Sequence, residues 1–300
     1  MKISYHLFLT IEIVMILFIY DKTLDGLLTA LFDAYNRKTF PDVLLSKGDT
    51  LPLFYDDIFT VITDEEKAGR VWRGLQKKIS ASALSAITWC WLSELPEVGM
   101  LLFRYIRKAI DSPVSIETNF GDPDVLALSK IWKRVDWERL RMLQFVRFQK
   151  AVDGTFFAAF EPQHNALPLT VGHFKDRFAD QRWLIYDMKR RYGFYYDLHT
   201  VEEVTFDDDG QAAHLITGML DESLMDKDEK LFQQLWKTYF KSITIKERLN
   251  PRKHKQDMPV RYWKYITENR NNLIQFVLLS LQEILVLKIA NVLRHCSVWI

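Results

Sequence analysis

The feature that most limits the fold is a compact region of strand-type sequence in the middle of the chain. Five stretches there have the alternation or aromatic content of β-strands: 145–150, 155–160, 183–187, 194–197 and 201–206. Asp153-Gly154 is a strong signal for a tight turn between the first two stretches. The segment 190–193 forms the turn between the third and the fourth. We therefore predict two antiparallel hairpins followed by one further strand.

Apolar residues at helical spacing prevail in most of the remaining chain. They predict helices over 24–37, 63–78, 169–179 and 227–248, and others that begin near residues 80, 96 and 123. Thr63, with Glu66 three residues later, has the sequence of a capping box. Residues 15–20 predict a first strand. The predicted fold class is α+β, a helix-rich single body with a small antiparallel sheet built from the N-terminal strand and the two hairpins.

Composition restricts the kinds of site that the chain can form. Lys and Arg number 40 against 39 Asp and Glu, so any surface for nucleic acid has to be local. Cys90 and Cys296 are too few and too distant for a disulfide framework, a cysteine-based zinc site or an iron–sulfur cluster. The histidines show no metal-ligand spacing. We predict no metal and no cofactor, and a reducing cytoplasm suits this cysteine usage.

Both ends of the chain are apolar, and each receives its own interpretation. We interpret residues 1–14 as a non-essential extension that precedes the first strand. Residues 273–298 are apolar but interrupted, with Gln282 and Glu283 near the middle, which argues against a membrane span. We expect an amphipathic helix there, docked on the body or on a partner. The predicted divisions are 1–14, a main domain over 15–268, and 269–300.

A set of motifs, spread in order over the main domain, carries a resemblance to a known family. The motifs begin with the strand 15–20 and the Asp-Gly-Leu-Leu-Thr-Ala-Leu-Phe-Asp-Ala-Tyr run at 25–35. They continue through 145–148, 160–162, 167–169, 173–174, 177–187, 191–197, 247–252, 258–259 and 261–265. Together they resemble a bacterial family of unknown-function domains described as probable DNA metabolism or repair proteins.

The resemblance implies a pathway and no particular reaction. Members of that family are typically encoded beside a putative DNA-modification or repair radical-SAM protein. In some chains the domain is fused to a uracil-DNA-glycosylase-like domain. The resemblance therefore implies DNA and a radical-SAM protein as partners, and we expect no association with a membrane.

One candidate catalytic group lies in the predicted helix 169–179 and just after it. His173, Arg177, Asp180 and Gln181 recur at i, i+4, i+7 and i+8, which would place them on one helix face. A histidine beside an arginine and a carboxylate could bind phosphate or transfer a proton. The alternative is a solvated polar face, which the spacing alone favours.

A second candidate is the carboxylate pair formed by Asp187 and Asp197. They lie near the ends of two predicted hairpin strands and could face each other across the ladder. Paired carboxylates can hold Mg²⁺ or perform acid–base chemistry. We favour the alternative, in which they cap turns or pair with the cations at 189–191.

The basic segment 246–264 is the better indication of nucleic-acid binding. Its cations are Lys246, Arg248, Arg252, Lys253, Lys255, Arg261 and Lys264. Tyr262, Trp263 and Tyr265 are interleaved with them and could stack on bases, or could instead pack in the core. A second cluster, at 130–141, is interpreted as a solvated helix face.

Three functions follow from these features. The first is a DNA-binding accessory subunit that works with a radical-SAM partner. The second is an enzyme that acts directly on damaged or modified DNA through His173, Arg177, Asp180 or Asp187. The third is a scaffold that binds only protein.

Overall fold

The computed structural model describes residues 15–206, 218–248 and 250–267. The fold is α+β, as predicted, and the chain divides after Asp136 into two compact units where the sequence predicted a single body. The predictions for 1–14 and for 269–300 concern residues outside the described ranges.

The first unit contains a three-stranded parallel sheet, and this differs from the prediction. Strand β1 (Ile16–Tyr20) lies between β2 (Val43–Ser46) and β3 (Asp57–Thr60) and pairs with both in parallel. The N-terminal strand is therefore not part of the sheet that contains the hairpins. Its sequence is apolar at every position, which is typical of a parallel strand covered on both faces. Phe18, at its centre, is fully buried.

Helices supply most of the core of the first unit. They are α1 (Leu24–Arg37), α2 (Glu65–Lys78), α3 (Ala81–Trp91), α4 (Val98–Asp111) and α5 (Pro123–Phe145), within which the boundary between the units falls. Their buried faces carry the apolar residues that recur at helical spacing, such as Leu27, Leu31, Leu102 and Ile106.

The cap of α2 lies one residue later than predicted. The side chain of Asp64 accepts hydrogen bonds from the backbone N–H groups of Glu66 (2.9 Å) and Lys67 (3.1 Å). The hydroxyl of Thr63 instead donates to Asp21 (2.8 Å). Aspartate is an equally good N-cap, so the sequence offers two candidates and tertiary contact with Asp21 decides between them.

Cys90 of α3 is fully buried in the first core, and its Sγ donates a weak hydrogen bond to the carbonyl of Leu128 (3.3 Å). Burial raises the pKa of this thiol to about 12. In a Cys296→Ser variant we expect Cys90 to resist a thiol reagent at pH 8, because only about 10⁻⁴ of it is thiolate. Reaction should become complete when urea unfolds the chain. Rapid modification in the native protein would contradict the buried position.

The second unit contains a five-stranded mixed sheet in which the strands follow chain order. They are β4 (Gln149–Lys150), β5 (Phe156–Phe160), β6 (Trp183–Asp187), β7 (Tyr192–Tyr196) and β8 (Val201–Thr205). Both predicted hairpins are confirmed as antiparallel pairs, with Gly154 at a φ of 82° in the first turn. However, β5 and β6 are parallel, so the sheet is not purely antiparallel.

The helices of the second unit are short, and the two that the sequence predicted, over 169–179 and 227–248, are both shorter than predicted. They are α6 (Val171–Arg177), α7 (Glu229–Ile243) and α8 (Pro251–Asp257), with 3₁₀ turns at Leu167–Leu169, Lys246–Arg248 and Val260–Tyr265. Of the predicted strand 145–150 only the last two residues form a strand: Phe145 ends α5, and residues 146–148 belong to neither a helix nor a strand. Trp183, Tyr262, Phe160 and Phe174 are the largest fully buried side chains of this core.

Within the described ranges, no helix is long and apolar enough to cross a membrane.

Candidate nucleic-acid interface

The structure does not place the first catalytic candidates on one helix face. His173 and Arg177 are exposed on α6, and that helix ends at Arg177, where the N–H of Phe178 bonds the carbonyl of Phe174 (3.0 Å). Asp180 is exposed and lies beyond the helix end. The i+7 spacing therefore does not place Asp180 on the same face as His173, because that spacing applies only within a continuous helix.

Asp187 and Asp197 do not face each other across the ladder, so the less favoured of the two interpretations is wrong. Asp187 lies opposite Tyr192 in the β6–β7 register. The carboxylate of Asp197 accepts the backbone N–H groups of His199 and Thr200 (both 2.7 Å). It therefore caps a turn, as the alternative interpretation expected.

Asp187 also caps a turn and pairs with a neighbouring cation, as the alternative interpretation expected, and it is fully buried. Its Oδ1 accepts the backbone N–H groups of Lys189 (2.9 Å) and Arg190 (3.1 Å), and its Oδ2 accepts Nη1 of Arg190 (2.8 Å). Burial raises the pKa of Asp187, and the guanidinium of Arg190 acts in the opposite direction. The carboxylate therefore holds a turn and a cation together and is closed to solvent.

The parallel pairing of β5 and β6 brings two loops to one sheet edge. These strands end side by side at Phe160 and Asp187, so the segments 161–165 and 188–191 adjoin. Arg190 donates to the carbonyls of Pro162 and Gln163 (both 3.2 Å), and Lys189 Nζ donates to the same Gln163 carbonyl (3.1 Å). The edge beyond the carboxyl ends of parallel strands is where ligands commonly bind in α/β sheets.

A buried glutamate fixes Arg261 beside the same segment. Glu138 is 1% exposed; its Oε1 accepts the N–H of Gln163 (2.6 Å), and its Oε2 accepts Nη2 of Arg261 (2.6 Å). Arg141 approaches the same oxygen at 3.5 Å. Arg261, predicted to contact nucleic acid, is thus the ion-pair partner of a buried carboxylate, although its own side chain is 33% exposed.

Lys264 is held by a carboxylate in a comparable way. Its ammonium contacts the carboxylate of Glu161, which also accepts the hydroxyl of Tyr265 (3.0 Å). Burial lowers the pKa of Lys264, and the hydrogen bonds with Glu161 and Tyr265 more than offset this. Burial also raises the pKa of Tyr265 to about 12.

Most charged groups at this sheet edge are paired with one another. Arg141 and Arg261 contact Glu138, Arg190 contacts Asp187, and Lys264 contacts Glu161. Lys189 instead donates to the carbonyl of Gln163.

The aromatic residues of the basic segment do not form a stacking surface. Trp263 is 3% exposed, and its Nε1 donates to the carbonyl of Met258 (3.0 Å). Tyr262 and Tyr265 are also buried. A ring inside the core offers no face to a base, so this burial gives no support to the predicted role of Trp263 in nucleic-acid binding. The alternative, packing in the core, is correct.

The cations that precede these aromatics are exposed. Helix α8 is started by Asn250, whose side chain accepts the N–H of Lys253 (3.0 Å), and by Pro251 at its first position. The ring of His254 lies against that of Trp263, with centroids 5.4 Å apart, which attaches the helix to the core. The exposed cations of this segment are Arg248, Arg252, Lys253 and Lys255. Lys253 is 2.9 Å from Asp257, and the side chain of Lys246 is outside the described residues.

The sequence interpretation named Arg190 among the cations that could pair with Asp187, but it missed Glu138 and Gln163, which connect the segments of the sheet edge. It also missed His164, which is only 4% exposed. The spacing of Asp187 and Arg190 was a usable signal, since i, i+3 is the geometry of a tight turn. In the described part of the chain, no group of three or more histidine, cysteine or acidic side chains could hold a metal ion.

Comparison with known proteins identifies a family and no activity. No curated protein matches the chain. One similar solved structure is a pGpG-specific phosphodiesterase, PggH, from Vibrio cholerae, with 10% identity, coverage of 77% of this chain and 99% of that chain, and a TM-score of 0.28. A TM-score this low carries no functional argument.

The family model for DUF4130, a domain of unknown function, matches residues 96–268. The main domain predicted from the motifs covers residues 15–268. The match ends at the same residue but begins at residue 96. It includes the sheet edge and helix α8 of the second unit. The chain therefore belongs to the DUF4130 family of domains of unknown function.

Proposed function

We propose that this protein binds DNA through the exposed cations of the segment 248–255. The observation that carries the proposal is the separation of roles within the basic segment. The aromatic residues are buried and anchor it to the core, and the cations remain in solvent. A cationic helix fixed to a rigid body is a suitable surface for a phosphate backbone.

The same separation specifies the kind of binding. Because Trp263 and its neighbours are buried, the segment offers charge and no ring faces for stacking on bases. Contacts to phosphate position a protein on nucleic acid and carry no sequence information. The proposed interface therefore binds with little sequence preference and with strong dependence on salt.

Such binding suits an accessory role in DNA repair or DNA metabolism, together with the radical-SAM partner that the sequence resemblance implies. The alternative of direct catalysis receives less support from the geometry. His173 and Arg177 are exposed on α6, whereas Asp187 is buried in its pair with Arg190. These groups do not present a common set of side chains to a substrate.

The proposal is tested by the triple variant Arg252→Glu, Lys253→Glu, Lys255→Glu. We expect the slope of log affinity against log salt for a duplex oligonucleotide to fall by about 3, near one per lost phosphate contact. The affinity at low salt should fall by about 100-fold or more. Fluorescence anisotropy at several salt concentrations, on single-stranded, duplex and abasic oligonucleotides, measures both quantities.

A matched control is available in the basic cluster of α5. Lys130, Lys133 and Arg134 are also exposed, so their replacement by glutamate makes the same change in net charge in the first unit. We expect that control to retain most of the affinity. Equal losses in both variants would show an effect of net charge alone. An unchanged slope in the first variant would remove the segment from the interface. Binding that occurs only with the radical-SAM partner present would favour an assembly subunit.

A further inference from the structure

Helix α7 (Glu229–Ile243) is amphipathic, but its polar side faces its own unit and its apolar side faces solvent. Its inner positions are mostly polar: Glu229 is 7% exposed, and Gln233 and Lys237 are half-buried. Its large apolar side chains are exposed: Leu231 (56%), Phe232 (61%), Leu235 (54%), Trp236 (38%), Tyr239 (55%) and Ile243 (54%). We call these six side chains the α7 face.

The α7 face is continuous. At about 100° per residue its six members fall within an arc of about 140° on the helix. Solitary exposed apolar residues are normal on protein surfaces, whereas contiguous patches of this kind mark interaction sites. A helix whose apolar stripe points away from its own core needs another element to cover it.

We propose that the segment 273–298 of the same chain covers the α7 face. This segment is the apolar stretch that follows the described residues, with only a few polar interruptions. It contains enough leucine, isoleucine and valine to supply a complementary apolar stripe. As a helix its 26 residues would span about 39 Å, more than the roughly 22 Å of α7.

The end of the described chain and the segment that precedes α7 contribute to one buried cluster. Tyr265 belongs to a small buried cluster with Leu220, and Met225 packs against the same cluster. Helix α7 begins four residues after Met225. The described chain ends at Thr267, two residues after Tyr265, so residue 268 follows from this neighbourhood.

The tether favours the segment of the same chain over a second copy. The polar residues 268–272 can span about 17 Å when extended, so the segment 273–298 begins within that distance of Thr267. A short linker gives a local concentration in the millimolar range, well above that of a second molecule in dilute solution.

Hydrogen exchange of the full-length protein tests the proposal. In the wild type the amides of α7 should be protected, and replacement of Leu278, Leu281 and Leu285 by glutamate should accelerate their exchange about tenfold or more. The control introduces the same charges at the polar positions Gln275, Gln282 and Asn291 and should leave the protection intact. Peptides covering β5 and β6 should exchange equally in all variants, which shows that the unit remains folded.

A second variant changes the α7 face instead of the C-terminal segment, so that the test does not depend on substitutions in that segment alone. Leu235→Glu with Tyr239→Glu should accelerate exchange in the segment 273–298. Unchanged exchange of α7 in the leucine variant would overturn the proposal. Protection of α7 that disappears on dilution would assign the face to a second copy. Protection that requires added lipid vesicles or another protein would assign it to that partner, and either result would also overturn the proposal.

Discussion

Replacement of Asp187 by alanine is expected to lower the free energy of unfolding by about 3–5 kcal/mol. Asp187 is fully buried and accepts three hydrogen bonds from Lys189 and Arg190. Removal of its carboxylate leaves two backbone N–H groups without their acceptor. It also leaves the guanidinium of Arg190, whose side chain is 11% exposed, without its counter-charge. Breaking one partner of a buried ion pair costs more than the pair itself contributes.

The loss of Asp187 should also affect the neighbouring loop. Arg190 donates to the carbonyls of Pro162 and Gln163, so its position determines how the segment 161–165 is held. We therefore expect faster hydrogen exchange in both loops of the sheet edge and little change in α6.

Urea denaturation followed by circular dichroism measures this effect. Asp197→Ala is the matched control, because Asp197 also caps a turn after a strand of the same sheet but is more exposed. Asp197→Ala should lower the free energy of unfolding much less than Asp187→Ala. If the two variants were equally stable, the buried ion pair would contribute nothing beyond a turn cap.

The parts of the fold that depend on local sequence were predictable. Asp153-Gly154 encodes a tight turn within a few residues, and the structure has a hairpin there. The turn between β6 and β7 is equally local. The apolar spacing of α1 likewise determines a helix without reference to the rest of the chain.

Pairings between distant segments were not predictable in the same way. β1 pairs with β2 and β3 through crossover connections, and nothing in its five apolar residues specifies its neighbours. The parallel pairing of β5 with β6 was missed for the same reason. Because the sheet edge exists only through that pairing, its residues could not be assembled from the sequence.

The sequence also did not determine whether the aromatic residues of the basic segment are exposed or buried. The alternation of cations and rings from 261 to 265 is compatible with a stacking surface and with a buried anchor. The segment forms a 3₁₀ turn, in which side chains three residues apart share a side, and Tyr262 and Tyr265 are both buried. Which side chains face the core then depends on two contacts, that of Trp263 with the carbonyl of Met258 and that of Arg261 with Glu138.

This placement leads to a second expected result, which separates folding from binding within the basic segment. Arg261→Met should lower the free energy of unfolding by about 2–3 kcal/mol, because it removes the closer of two cations from the buried carboxylate of Glu138 and leaves Arg141 at 3.5 Å. Methionine retains much of the apolar stem, so the change isolates the charge. Arg252→Ala, on an exposed position of α8, should change stability by no more than about 0.5 kcal/mol.

The DNA-binding measurements should show the reverse order. Arg252→Ala should reduce the salt slope by about 1, whereas Arg261→Met should leave it nearly unchanged. The double variant Glu138→Gln, Arg261→Met should recover part of the lost stability, because the buried charge is removed with its partner. A normal stability for Arg261→Met together with weaker DNA binding would place Arg261 in the interface and contradict its role as the partner of Glu138. The physical reason for our expectation is that the 2.6 Å contact with a carboxylate that is 1% exposed already neutralises this guanidinium.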